Sequence, residues 1–307
     1  MPVPAVFILV AVAIVFIVVI RILALRVTTF IIGVAPALPK IFMDSSAWER
    51  SQNLRSRVAQ GYPSLVAFVA RRIELRQPTG LLLTLTVLAA IYLVGLFSGL
   101  TEDILEASGT IRIDNVINAK LIPWRIEPLI SAFLWITALG SSPSVIAAVI
   151  IATGFLWSQR RFHIILPLWV TCLGALTTTT IGKLVVGRHR PEFTIDVSAA
   201  GWSFPSGHAT VAMAVYGFIA YAIARALPGI RERFEVAYWT AVLIILIGVS
   251  RIFLGVHYVT DVIGGFLVGG FWLLAGFAIA EWNVLPAMAE KPIGSTHKSL
   301  PEDSGNS

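Results

Sequence analysis

Seven stretches of this chain are long and apolar enough to cross a lipid bilayer, and they leave room for few other folds. A spanning α-helix needs about 20 predominantly apolar residues, and it must pair its backbone N–H and C=O groups internally because the hydrocarbon offers no partners. The stretches are 3–20, 79–99, 129–157, 162–182, 209–226, 236–256 and 259–281. Only 13% of the 307 residues are charged, where a soluble domain carries about 25%. The fold class is therefore all-α, a polytopic membrane helix bundle. The third stretch is longer than the hydrocarbon requires and contains Gly140-Ser-Ser-Pro143, a turn-like break. Residues 128–139 are read as a short helix near the interface and about 143–157 as the span. A single Cys172 excludes an internal disulfide.

Orientation follows from the cations, because cytoplasmic loops carry the excess of Lys and Arg. With the N-terminus outside, segments 21–77, 158–161, 225–235 and 283–307 are cytoplasmic and hold 9, 2, 3 and 2 Lys/Arg, which is 16 of the chain's 23. Of the other seven, Lys183, Arg188, Arg190 and Arg251 fall in the motifs described below; Arg112, Lys120 and Arg125 are ordinary loop charges.

Residues 1–20 lack a basic region ahead of the apolar run, and Arg21 and Arg26 follow it, so the segment is expected to be a retained anchor and not a cleaved signal. The basic segment 21–77 either lies along an anionic cytoplasmic leaflet or only enforces topology; Trp48, Phe68 and the apolar patch 65–70 leave room for an interfacial helix. Residues 286–307, rich in Pro, Gly, Ser and mixed charge, are expected to form a disordered cytoplasmic tail.

Three short segments put phosphate-handling and proton-handling residues beside apolar runs. They are Lys183-Leu-Val-Val-Gly-Arg-His-Arg190-Pro191, Phe204-Pro205-Ser206-Gly207-His208, and Ser250-Arg251 followed by His257 and Asp261. The topology above puts all three on the side away from the cytoplasm. A cation buried in membrane protein is expensive and is usually functional or paired. Singly, Lys183, Arg190 and Arg251 would be expected to snorkel to head groups. Together they suit a phosphoryl group, to which Arg offers a planar fork and Lys a point charge. Arg188 either joins this cluster, binds a lipid head group or is a plain loop charge. Pro191 is expected to end the helix and turn the chain outward.

Ser206 and Gly207 would present a hydroxyl and backbone N–H groups at a helix start, a natural anion site, although Ser206 also suits a plain N-cap. His208 alone reads as an interfacial residue; beside a phosphate cradle it reads as a general acid. His257 and Asp261 are four apart and share a face if the last helix has begun by His257. A carboxylate on Nδ1 would leave Nε2 as a nucleophile. The same pair also suits a divalent ion, but the neighbouring charges are cations and the remaining ligands are missing. Ser250 either accepts a peripheral bond or packs. Glu192 and Asp196 pair with Arg188, touch a head group or are solvated. His163, His189 and His297 do not stand out.

The ordered set resembles the type 2 phosphatidic acid phosphatase (PAP2) family, whose signatures have the forms K-x6-R-P, P-S-G-H and S-R-x5-H-x3-D, and every signature position is filled. The resemblance covers roughly 78–285. It implies a six-helix PAP2-like core plus one N-terminal transmembrane helix. It also implies that His257 attacks phosphorus to give a phosphohistidine, that Asp261 orients it, and that His208 protonates the leaving oxygen and then activates water. Lys183, Arg190, Ser206, Gly207 and Arg251 would hold the phosphate. Neither metal, cofactor nor nucleic acid is expected. The expected substrate is a lipid phosphate or diphosphate: polyprenyl diphosphate carrier lipid first, then phosphatidic acid or phosphatidylglycerophosphate. The expected place is a bacterial inner membrane with the site facing the periplasm or exterior. A lipid phosphotransferase using the same phosphohistidine, and a non-catalytic lipid-phosphate binder or transporter, are the alternatives; intact His208, His257 and Asp261 weigh against the latter.

Overall fold

The computed structural model describes residues 3–34, 81–106, 109–192 and 201–289. Most of the basic segment, with its possible interfacial helix, lies outside them, as do residues 290–307 of the tail. Among the described residues every regular element is helical. They are α1 (Val3–Val34), α2 (Leu81–Leu105), α3 (Gly109–Leu121), α4 (Glu127–Ala138), α5 (Ser142–Ser158), α6 (Phe162–Val186), α7 (Gly207–Ala224), α8 (Ile230–Phe253) and α9 (Val259–Ala289). Six of these are long and apolar enough to span a membrane singly; α4 and α5 meet that test only together, as one span bent by 42°.

Several boundaries differ from the sequence reading; the tail expected to start at 286, for one, begins inside α9. The end drawn for the first span at residue 20 falls inside α1, which continues to Val34, and the Arg21 guanidinium makes an ion pair with Glu235 on α8. Tyr238 of α8 also donates to the carbonyl of Ile17. Pro191 does not end α6. The helix stops at Val186, capped by Gly187 at φ +60, whose N–H reaches the Lys183 carbonyl. Glycine adopts this left-handed conformation without the Cβ penalty, and the chain turns there, ahead of Arg188 and Arg190. The start of α9 at Val259 is where the last apolar stretch was drawn, so the condition of a helix begun by His257 is not met.

The core that supports the site has two parts. Val145 and Val149 of α5, Leu168 and Cys172 of α6 and Val215 and Phe218 of α7 are buried together in mid-bundle. Nearer the signatures, Phe253, Leu254 and Val256 pack on Leu121, Trp124, Ile130 and Phe133, with the Phe133 and Phe253 rings 4.3 Å apart. This second cluster seats the turn that carries His257. The α9 helix lies against α7 on a glycine face. A Cβ on Gly265 would stand 2.6 Å from the Ser206 carbonyl oxygen and one on Gly269 2.5 Å from that of Thr210. Small residues let membrane helices approach to this distance. The start of α7 is thereby held beside the start of α9. One turn further on, α7 loosens into a π-helical turn at Ala212–Tyr216, and Tyr216 donates to the carbonyl of Leu139 at the α4–α5 bend.

Candidate active site

The end of α6, the start of α7, the end of α8 and the start of α9 meet at one end of the bundle, and with them the three signature segments. The junction is direct: the Ser206 N–H donates to the Asp261 carbonyl at 2.9 Å. His257 is 3% exposed and Asp261 fully buried.

Proton accounting around His257 fixes its tautomer. Nη1 of Arg190 lies 3.3 Å from Nε2. A guanidinium only donates, so Nε2 carries the lone pair and Nδ1 the proton. Nδ1 faces Ser203 Oγ at 3.3 Å and Asp261 Oδ2 at 3.5 Å. Ser203 in turn donates a short hydrogen bond to that same Oδ2, which also accepts the Tyr258 N–H at 2.8 Å. Asp261 thus reaches the imidazole both across space and through a buried hydroxyl. The geometry expected of an i, i+4 helical pair arises here although His257 lies outside the helix. Burial pushes the His257 imidazole down to about 4, against the pull of Asp261.

Two of the three cations are held by backbone carbonyls. Lys183 Nζ donates to Trp202 O at 2.6 Å. Arg190 donates from Nε to Gly201 O at 3.0 Å and from Nη1 to Val256 O at 2.7 Å. Arg251 is 4% exposed, and its Nη1 donates to Thr137 of α4 at 2.7 Å. Arg190, Arg251 and Asp261 all lie within electrostatic reach of Lys183. Ser206 occupies the N-cap position of α7, yet its side chain makes no cap bond, and its buried hydroxyl oxygen has no partner. The plain N-cap reading of Ser206 therefore fails, and so does the idea that its N–H is open to an anion, because Asp261 takes it. His208 is half-buried one residue into α7. A Cβ on Gly140, at the α4–α5 bend, would come within 3.1 Å of its ring.

Arg188 is engaged by two carboxylates. It pairs with Asp261 at 2.7 Å and with Asp114 of α3 at 2.8 Å, and its guanidinium carbon lies 4.4 Å above the Tyr258 ring. Glu192 is not its ion-pair partner, and Asp196 lies outside the described residues. Ser250 turns inward to the Ile247 carbonyl. His189 packs edge-on against Trp202. Sequence reasoning missed Asp114, Thr137, Ser203 and Thr260. Ser203 and Thr260 adjoin signature residues, which was a usable signal; Asp114 and Thr137 lie more than 45 residues upstream of Lys183 and gave none.

The arrangement can hold an anion among three cations in front of an imidazole nitrogen that has a lone pair and a carboxylate behind it. Comparisons with known proteins give the family. A family model described as the PAP2 superfamily matches residues 164–285. Phosphatidylglycerophosphatase B of Bacillus subtilis is 34% identical over 205 residues, 66% of this chain and 94% of that protein. Lipid A 1-phosphatase of Rhizobium etli is 32% identical over 142 residues, 40% of this chain and 57% of that one. The crystal structure of a transmembrane PAP2-type phosphatidylglycerolphosphate phosphatase from Bacillus subtilis aligns with a TM-score of 0.58 at 29% identity, covering 61% of this chain and 93% of the other.

Proposed function

The chain belongs to the PAP2 superfamily, as a membrane lipid phosphatase, and we propose that it moves the phosphoryl group of a lipid phosphate to His257 and then to water. Nε2 of His257 forms a bond to phosphorus as the P–O bond to the lipid breaks, and His208 gives its proton to the departing oxygen. Water then attacks the phosphohistidine, His208 takes the proton, the P–N bond breaks and inorganic phosphate leaves. Lys183, Arg190 and Arg251 meet the charge that spreads over the equatorial oxygens; the hydroxyl of Ser206 and the N–H of Gly207 supply neutral donors. The observation that carries this reading is the setting of the His257 ring, with Nδ1 facing Asp261 and Ser203 and Nε2 facing the Arg190 guanidinium.

Cations and not carboxylates surround the phosphate position, so no metal takes part in any step. Hydrolysis should persist in EDTA, and orthovanadate should inhibit it. Loss of activity on chelation that returns with added divalent ion would contradict the reading. The catalytic end is proposed to face away from the cytoplasm, into the periplasm of a bacterial inner membrane, on the support of the 16 Lys/Arg assigned to the other side. Phosphatidylglycerophosphate is the first substrate to try, by likeness to a relative aligned over 94% of its length, followed by phosphatidic acid and polyprenyl diphosphate. Rapid quenching of His208→Ala with radiolabelled p-nitrophenyl phosphate, whose leaving group needs little proton assistance, should trap an acid-labile, alkali-stable phosphoenzyme. His257→Ala should trap none. Label retained in His257→Ala would refute the phosphohistidine.

A further inference from the structure

Asp114 lies outside the three signatures and outside the segment that the family model matches. It is a carboxylate only 1% exposed, and buried charges persist where they are paired and fully hydrogen-bonded. Its Oδ1 accepts the Thr260 N–H at 3.1 Å; its Oδ2 accepts Arg188 Nη2 at 2.8 Å and a short bond from the Thr260 hydroxyl. The Thr260 oxygen accepts from Arg188 Nη1 at 2.7 Å, and Nη1 also reaches Asp261 Oδ1 at 2.7 Å. Two carboxylates, one guanidinium and one hydroxyl therefore form a closed network behind His257.

We propose that Asp114 is a positioning residue of this site, which shares Arg188 with Asp261 and so preserves a net negative charge behind His257. The inference rests on the phosphohistidine reading above. Arg188 fixes one oxygen of Asp261, leaving the other for Ser203, the Tyr258 N–H and His257. Alone, that contact would neutralise the carboxylate that must support His257 when it becomes imidazolium-like. Asp114 restores the balance: one cation and two carboxylates carry a net charge of about −1 in a region where charges act strongly. The same helix is tied to the other side of the nucleophile turn. Arg125 donates to Phe253 O at 2.7 Å and to Asn118 of α3, so α3 grips the turn at Phe253 and at Thr260.

The test uses the full-length protein in lipid nanodiscs, with kcat and KM on phosphatidic acid normalised to sites titrated by orthovanadate. In Asp114→Asn, kcat should fall on the order of 10- to 100-fold, since one charged hydrogen bond is lost and Asp261 is neutralised. KM should stay within about twofold, because the phosphate-facing cations are untouched. Adding Arg188→Gln should then raise kcat, since it removes the neutralising cation. A role limited to bracing would make the double variant worse than the single. Unchanged kcat in Asp114→Asn, or a further loss in the double variant, would overturn the proposal. If Asp114→Asn does not fold, the double variant alone decides, because both buried charges are gone: kcat per site within about tenfold of wild type supports it, and a loss equal to that of Asp261→Asn overturns it. His257→Ala is measured alongside. Turnover there would remove the phosphohistidine reading itself, whereas an inactive His257→Ala with an unimpaired Asp114→Asn removes only the role of Asp114.

Discussion

Arg190 aims Nη1 at Nε2 of His257 from 3.3 Å, on the side of the ring away from Asp261. The proposed nucleophilic nitrogen and a fork able to grasp phosphate are thus adjacent before any substrate arrives. A reacting phosphorus must sit near Nε2, and its oxygens then fall within reach of the guanidinium.

Geometry, not charge alone, should matter at this position. Arg190→Lys keeps one positive charge but loses the planar fork and the anchors to Gly201 and Val256. The expected loss in kcat/KM is on the order of 10- to 100-fold, with weaker vanadate inhibition. Activity within threefold of wild type would mean that Arg190 acts only as a point charge.

The pH dependence follows from the buried imidazole of His257. Its pKa is pushed down to about 4, and the neutral form is the proposed nucleophile, so it should stay competent as pH falls from 7 toward 5. After correction for the substrate's own dianion fraction, kcat/KM should be flat down to about pH 5. At an ordinary histidine pKa of about 6.5 it would drop about tenfold by pH 5.5. Stability has the same sign: between about 6.5 and 4 the unfolded chain binds a proton that the folded one does not, so stability should fall as pH falls through that window. An acid limb near 6.5 would show that His257 titrates as if solvated.

The two histidines should separate by leaving group. His257→Ala should eliminate turnover of every phosphate ester. His208→Ala should lose on the order of 100- to 10,000-fold with phosphatidic acid, whose alkoxide needs a proton. With p-nitrophenyl phosphate the first step should be far less impaired, giving a burst of nitrophenol and then slow turnover. Equal defects on both substrates, without a burst, would assign the acid elsewhere.

Gly265 offers a test of the packing that joins the second and third signatures. A Cβ there would meet the Ser206 carbonyl at 2.6 Å, and backbone cannot yield as a side-chain tip can. Gly265→Ala should cost about 1 to 3 kcal/mol of stability, read as a lower Tm, and should reduce kcat by displacing Ser206 from Asp261. Gly154→Ala, where a Cβ meets nothing within 4 Å, is the control and should leave kcat unchanged without lowering Tm.

The helical class and the meeting of the signature segments at one end were legible because membrane spans and ordered motifs are local patterns in a sequence. The bend at Gly140 was legible for the same reason. What escaped was the set of partners brought in from far along the chain. Asp114 is 74 residues from Arg188 and Thr137 is 114 from Arg251, and neither separation has a period. The role of Gly187 escaped because Pro191 was the louder breaker, although only the glycine adopts the left-handed turn. Arg21 was read as a boundary marker because its partner, Glu235, lies 214 residues away.

The carbonyls of Trp202, Gly201 and Val256 that hold Lys183 and Arg190 have an enzymological consequence. Those cations are already ligated, much as a hydrated ion is, so under the proposed function an arriving phosphate would substitute for existing ligands and not fill bare positive charge. The net affinity is the difference between two sets of bonds. A site organised in this way can be strongly electropositive and still let go of its inorganic product, since the loop is ready to take the cations back.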